Sequence, residues 1–378
     1  MWFIAPVWFF VFRHFLSVPQ IGINEIICFT IGLAAEIPSG ALADNIGRRK
    51  TLIIGGVLLV IGAAGTAAAY SLMTLVIAQS VWFIGYAFYS GANDALVYDK
   101  LIEENREDDW AKISARKNNL VVLVTIASVL IGGLLYRVHY RLPFAVYTLA
   151  MVIFLLLVTR YPKDEKLKII NKSVHSAQEY WNNLKLGCRE LLRPQLRFLL
   201  WGVLVFATLY YAYEWGVLRP LILSNQGYGG FSASILSFVV HIAMFALYIM
   251  LPRMFGKSVS EKTVLVGVVL ASFSYLLLSF KSSVWLVGLI IVLFTITAST
   301  ITWWTSIYIN RHVGSSHRAT ALSTWAMLEK VPYIMLVGTI TNLSSRGFSA
   351  FIIISGAAAG LLAIFTLVNL RRVDPTIE

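Results

Sequence analysis

Four ionisable side chains stand inside long apolar runs of this chain: Asp94, Glu214, Glu329 and Lys330. Inserting such a group at the centre of a membrane-spanning helix costs about 2.5–3.5 kcal/mol, so the few that occur mark ion pathways, proton relays or charge pairs. A carboxylate in a low-dielectric site has its protonated form favoured and can titrate near neutral pH. Glu214 and Glu329 are therefore the candidates to carry a coupling proton. Glu329 has the better depth, roughly 16 Å beyond Arg318 at about 1.5 Å per residue, and it shares a helical face with Trp325 and Tyr333. Lys330 points about 100° away from it, and a cation that close can also hold the carboxylate ionised and structural. Asp94 lies less than two turns from the end of its run, where capping or pairing explains it equally well. His241 reads as a satisfied interior histidine.

Three stripes at helical spacing add polar and aromatic groups to the same runs. Gln79, Trp82, Tyr86, Tyr89 and Asn93 step by three and four, as do Phe206, Tyr210, Tyr213 and Glu214; Thr297, Thr300, Trp304 and Tyr308 form the third set. A polar face inside a bilayer must look inward, so these stripes are expected to line a cavity for a solute with apolar or planar area. Aromatic packing between helices is the competing account of any single member. Arginines are scarce along these stripes, which argues against a phosphorylated substrate. No metal-ligating spacing occurs. Gly256-Lys257-Ser258 imitates the end of a phosphate-binding loop, but Leu251 stands where the first glycine is required and no strand precedes it. Cys28 falls in an apolar run and Cys188 in a polar linker, so a disulfide is not expected. The reading is of a protein that is not an enzyme and uses no cofactor or metal.

The elements that position these groups follow from composition. Charged residues are 13% of the 378 residues and apolar ones 58%, whereas soluble domains carry about 25% charged residues. About 20 apolar residues cross a bilayer, and twelve runs qualify. Six lie at about Met1–Leu16, Gln20–Ala43, Lys50–Tyr70, Leu72–Leu101, Ala111–Tyr136 and Leu142–Arg160. Six more lie at about Phe198–Ser224, Ser232–Pro252, Lys262–Phe280, Val284–Ile309, Arg318–Asn342 and Gly347–Leu370. The expected fold is an all-α membrane protein with twelve transmembrane helices in two six-helix bundles, residues 1–160 and 198–378, joined by a polar linker at 161–197. The start of the chain has neither the basic front nor the cleavage site of a signal peptide, so the first run is expected to remain as a span.

Basic residues set the orientation. Most of the 31 Lys and Arg fall on the side that holds Arg48, the linker and the C-terminus, and cytoplasmic flanks collect such residues. Both termini are thus expected in the cytoplasm, with the protein in the plasma membrane. The net charge of +12 is accounted for by this asymmetry and by anionic lipid headgroups, with no nucleic-acid partner implied.

Between the second and third runs stands EIPSGALADNIGRRK, in which Gly40, Asp44, Gly47, Arg48 and Arg49 fall as G-x-x-x-D-x-x-G-R-R. This resembles the signature of the major facilitator superfamily. Phe255-Gly256-Lys257 is a weak echo of it 209 residues later, with Arg253 at the place of Asp44. Such a repeat implies two parallel halves related by a pseudo-two-fold axis, with substrate near the midplane. Ser90–Leu101, and Arg318-Ala319-Thr320 with Ser323, look like a bacterial branch of the family. Val81 and Ser128-Val129 depart from its antiporter pattern.

The resemblance implies a cytoplasmic latch of Gly40, Asp44, Gly47, Arg48, Arg49 and Asp99 that holds the bundles shut, while the polar stripes lead to expected substrate contacts from Gln79, Trp82, Tyr86, Tyr89, Asn93, Tyr210, Tyr213, Thr297, Thr300 and Trp304. Its partners would be a small-molecule substrate, H+ and membrane lipids, and the protein would act as a monomer. The function expected is alternating-access secondary transport of a small amphipathic or aromatic molecule, as proton-coupled export. Uptake by symport is the alternative. A non-transporting receptor or scaffold on the same fold is the reading from another class.

Overall fold

The computed structural model describes residues 3–106, 109–160, 177–255, 259–345 and 347–370. Regular structure among them is helical throughout. Two compact units emerge, one from residues 1–180 with 230–235, the other from 181–229 with 236–378.

The first unit contains α1 (Trp8–Phe12), α2 (Val18–Ile46), α3 (Arg48–Ala68), α4 (Leu72–Glu103), α5 (Trp110–Val138) and α6 (Leu142–Thr159). Turn chemistry sets the starts: the Ser71 hydroxyl accepts the Thr74 N–H while the Thr74 side chain takes the Ser71 N–H, a capping box that opens α4. Helix α3 packs on α2, α4 and α6. Its approach to α4 depends on absent side chains, because a Cβ at Gly62 would lie 2.6 Å from the Trp82 amide nitrogen and one at Gly55 would lie 3.0 Å from the Gly85 carbonyl oxygen. Between helices in a bilayer, where apolar burial gives little drive, close backbone contact of this kind supplies the association. Gly62→Leu is therefore expected to push α4 off α3 and cost about 1–3 kcal/mol or more, read as a lower unfolding temperature in detergent. Gly229→Ala, where a Cβ meets nothing within 4 Å, should leave that temperature unchanged. Equal stability of the two variants would sink this packing account.

The second unit contains α7 (Ala177–Leu191), a π-helical turn (Leu199–Val203), α8 (Leu204–Glu214), α9 (Leu218–Asn225), most of α10 (Gly230–Phe255), α11 (Glu261–Leu277), α12 (Val284–His312), α13 (Ser315–Asn342) and α14 (Phe348–Val368). Ser260 and Ser283 cap α11 and α12 by accepting the N–H of Thr263 and Leu286. Helix α11 packs on α12 and α14, and α13 on α8.

Among the described residues, eight helices are long and apolar enough to cross a membrane, against twelve expected runs. The other four fall short for physical reasons. The first run is α-helical only over Trp8–Phe12, and the ninth only over the 17 residues of α11. The eleventh, α13, has length but carries Glu329, Lys330 and Pro332. The seventh, expected as one helix, is broken at Trp215–Val217. Pro220 has no N–H to bond the Gly216 carbonyl, and the bare Gly216 backbone leaves room for the Tyr333 ring. The Val217 N–H freed by the break donates to the Tyr333 hydroxyl at 3.1 Å.

Candidate functional site

In the first unit, the α4 stripe forms a connected face. Asn24 Nδ2 on α2 donates to Gln79 Oε1 at 3.0 Å, and the Trp82 indole donates to the Tyr147 hydroxyl on α6 at 2.9 Å. The Trp82 and Tyr86 rings stack at 5.4 Å with 11° between planes, Tyr86 continues to Tyr89 at 6.2 Å, and Tyr89 meets Phe154 edge-on at 5.4 Å. Each indole or phenol is oriented by a neighbour, so the stripe is ordered. Tyr86 keeps 39% of its surface exposed, which leaves a ring available to a planar solute; Asn93 is half-buried.

Sequence reasoning missed Asn24, fully buried, and Glu25, 5% exposed, on the same helix. The available signal was a carboxylate seven residues into α2, of the kind that singled out Glu214. Cys28 lies one turn on, its thiol 3.6 Å from Asn24 Oδ1.

In the second unit, Tyr210 and Tyr213 lie on the expected face of α8, but their partners on α12 are Ser299, at 2.6 Å, and Thr295, at 3.0 Å. The hydroxyls of Thr297 and Thr300 return to carbonyls of their own helix. Thr295 also bonds back, to the Ile291 carbonyl at 2.8 Å, so contact with α8 rather than back-bonding separates the two sets. Tyr213 has no exposed surface and meets Phe294 edge-on at 4.8 Å. Trp304 packs beside Gly267 of α11. Both side chains are buried in this structure.

Glu214 ends α8 and faces Arg219 across the helix break, with Oε2 3.6 Å from Nη1. Arg219, read from sequence as one of the basic residues on the side away from the linker, is only 9% exposed. Its Nη2 donates to the Ser237 hydroxyl on α10 at 3.0 Å, and its guanidinium lies over the Tyr213 ring at 5.7 Å. His241 Nδ1 bonds the Ser237 carbonyl at 2.7 Å, which agrees with a satisfied interior histidine. Glu214 Oε2 is buried and makes no hydrogen bond among the described residues. Oε2 therefore faces the Arg219 guanidinium at ion-pair rather than hydrogen-bond distance.

Glu329 is half-buried on α13, with the Trp325 side chain as its hydrogen-bonding neighbour one turn earlier. Trp325 and Tyr333, expected on the same face, are both buried. Lys330 is half-buried beside it.

At the motif, a single residue, Gly47, separates α2 from α3, with φ 92° and ψ 151°. Arg49 Nη2 donates to the Thr159 carbonyl at the end of α6, 2.6 Å away. Arg48 is half-buried. Gly40, Asp44, Asp94 and Asp99 lie on helices whose backbone is described, but their side chains are outside the described residues, as are residues 256–258 of the weaker repeat.

Helices long and apolar enough to cross a bilayer, an ion pair within the second unit and a polar-aromatic face on α4 are the features of an integral membrane protein. The Major Facilitator Superfamily profile matches residues 1–335, and the chain belongs to that family. An MFS-type transporter of Methanocaldococcus jannaschii is 30% identical over 109 residues, a stretch that covers 29% of this chain and 26% of that relative. In fold, the chain is similar to a crystal structure of a mutant of the nucleoside transporter NupG, with TM-score 0.75 at 13% identity over 98% of this chain and 96% of that one. A D-xylose–proton symporter gives 0.67 at 15% identity over 94% and 89%, and a POT family transporter in complex with 5-aminolevulinic acid gives 0.67 at 16% over 94% and 88%.

Proposed function

We propose that this protein is a proton-coupled secondary transporter that exports a small amphipathic or aromatic molecule by alternating access, using twelve spans in two six-helix bundles with both termini in the cytoplasm. The observation that carries this reading is the Glu214–Arg219 pair, a carboxyl and a guanidinium 3.6 Å apart inside a unit of a membrane protein, with one carboxyl oxygen lacking a hydrogen bond. Protonation of Glu214 removes the charge that holds Arg219, leaving the guanidinium to Ser237 and the Tyr213 ring. The two protonation states thereby favour different arrangements of the broken seventh span, and a ligand that prefers one of them shifts the population. The stacked Trp82 and Tyr86 rings support a substrate with planar or apolar area. Glu329 is the second coupling candidate.

Likeness to a D-xylose–proton symporter favours a second reading, uptake by symport at the same residues. The direction of net flux under an imposed pH gradient separates the two.

A thermal-shift screen of the purified protein against metabolites and drugs identifies the substrate, since a ligand of the native state raises its melting temperature. In proteoliposomes, Glu214→Gln is then expected to lose more than tenfold of the uphill flux driven by a pH gradient while exchange of labelled substrate at equal concentrations persists. Glu329→Gln is the parallel test. Full proton-driven accumulation in both variants would remove proton coupling through these carboxylates.

A further inference from the structure

The end of α7 with the residues just after it, and the first turn of α13, line a half-open pocket of about 610 Å³ in the second unit, formed by Leu186, Arg189, Glu190, Leu192, Arg193 and His317. None of these residues takes part in the transport reading above. Helix α7 can sit against α13 because Gly187 faces Thr320 and Thr324, where any side chain would collide. Glu190 is 3% exposed. Its Oε1 accepts from Arg193 Nη2 at 2.7 Å and lies 3.7 Å from His317 Nδ1. Its Oε2 is buried with no hydrogen-bond partner among the described residues.

Two chemical demands follow from this lining. Arg189 and Arg193 set against Glu190 leave one surplus positive charge, before any contribution from His317, so the pocket asks for a monoanion. Arginine forks bind phosphate in preference to most other anions. The buried Oε2 asks for a donor, since an acceptor out of water with nothing to accept is unfavourable. The surroundings carry the marks of an interfacial helix. Trp181 and Leu192 on or just after α7 are well exposed, and Lys185 lies over the Trp181 ring at 5.9 Å; such aromatic and snorkelling side chains place a helix at a membrane surface.

We propose that this pocket binds a phosphodiester monoanion that also carries a hydroxyl donor, the phosphate on Arg189 and Arg193 and the hydroxyl on Glu190 Oε2. A phosphatidylglycerol headgroup and a soluble glycerophosphodiester share that chemistry. Occupancy would tie the linker helix α7 to α13, the helix that bears Glu329. The inference rests on the membrane setting for its lipid arm only, and it stands or falls independently of proton coupling.

The test uses the full-length protein, stripped of lipid in neutral detergent, and measures retained lipid by native mass spectrometry. Phosphatidylglycerol is compared with phosphatidylmethanol, a monoanion without the hydroxyl, and with phosphatidylcholine, all with the same acyl chains. Soluble glycerophosphoglycerol is tested beside them by thermal shift. Phosphatidylglycerol is expected to be retained at least tenfold over phosphatidylcholine and severalfold over phosphatidylmethanol. Arg189→Gln, at an exposed position that cannot threaten folding, should lose most of the first preference, and Arg189→Gln with Arg193→Gln all of it. Glu190→Met, which leaves nothing for the hydroxyl to bond, should erase the second. A thermal shift with glycerophosphoglycerol alone would assign the pocket to a soluble phosphodiester and support the same chemistry. Equal retention of the three lipids with no shift from the soluble compound would overturn the proposal, as would a phosphatidylglycerol preference that survives loss of both arginines.

Discussion

Arg219→Met is expected to be the most damaging single substitution in the protein. It leaves Glu214, whose side chain is 22% exposed, without its counter-ion; removal of one partner from a fully buried pair costs about 3–5 kcal/mol, and this partly exposed pair should lose a share of that. Ser237 and the Tyr213 ring lose their guanidinium as well. A large fall in unfolding temperature and in the yield of folded protein should follow. The companion variant, Glu214→Gln with Arg219→Met, removes both charges. It should recover most of the stability, because two neutral groups of similar volume need no pairing, while proton-driven uphill flux stays lost. A double-mutant cycle over the two positions reads their coupling directly. Arg219→Lys should fall between, since an ammonium keeps the charge but lacks the fork that reaches Glu214 and Ser237 together. Wild-type stability in Arg219→Met would mean that the pair is not the buried electrostatic element described above.

A second large effect is expected at the turn between α2 and α3. Gly47 holds φ 92° and ψ 151°, a region of backbone space open essentially to glycine alone, where other residues pay about 1–3 kcal/mol. Its carbonyl accepts both the Thr51 N–H at 3.2 Å and the Thr51 hydroxyl at 2.9 Å, so the turn has no slack to relax. Gly47→Ala should re-aim the start of α3 and with it Arg49, whose bond to the Thr159 carbonyl reaches the end of α6. If this turn biases the access states without touching solute, turnover falls tenfold or more while substrate affinity, measured by thermal shift or equilibrium binding, stays within twofold. Asp44→Asn and Arg48→Ala should give the same signature. A folded Gly47→Ala variant with the wild-type transport rate would remove the latch role from this motif.

Much of this protein is legible from its sequence, because a bilayer imposes constraints that act on single helices. Every backbone polar group in hydrocarbon must be bonded within its own element, so long apolar runs become helices wherever they occur, and α2 to α6, α10, α12 and α14 lie within a few residues of where their runs stand. The G-x-x-x-D-x-x-G-R-R spacing marks a turn whose one interhelical residue is a glycine for a backbone reason, and the family follows from it. Side chains at spacing three and four share a face whatever the tertiary structure, which is why the run of rings from Trp82 through Tyr86 to Tyr89 was readable on α4.

What the tertiary structure alone decided is which groups meet. Periodicity places Tyr210 and Tyr213 on one face of α8, yet nothing in it says that Thr295 and Ser299, rather than Thr297 and Thr300, will be opposite. The break after Glu214 needs Pro220 and Gly216 from the local sequence, but also the Tyr333 hydroxyl from a helix more than a hundred residues away to take the freed Val217 N–H. Across that break Arg219 faces Glu214, a pairing that counting basic residues along the chain could not show. Glu190 is the same lesson outside the spans: an ordinary glutamate on a polar linker helix, buried only because Gly187 lets that helix close on α13. Charge and polarity are properties of residues and can be counted along a chain. Burial and pairing are properties of contacts between distant segments, and packing alone determines them.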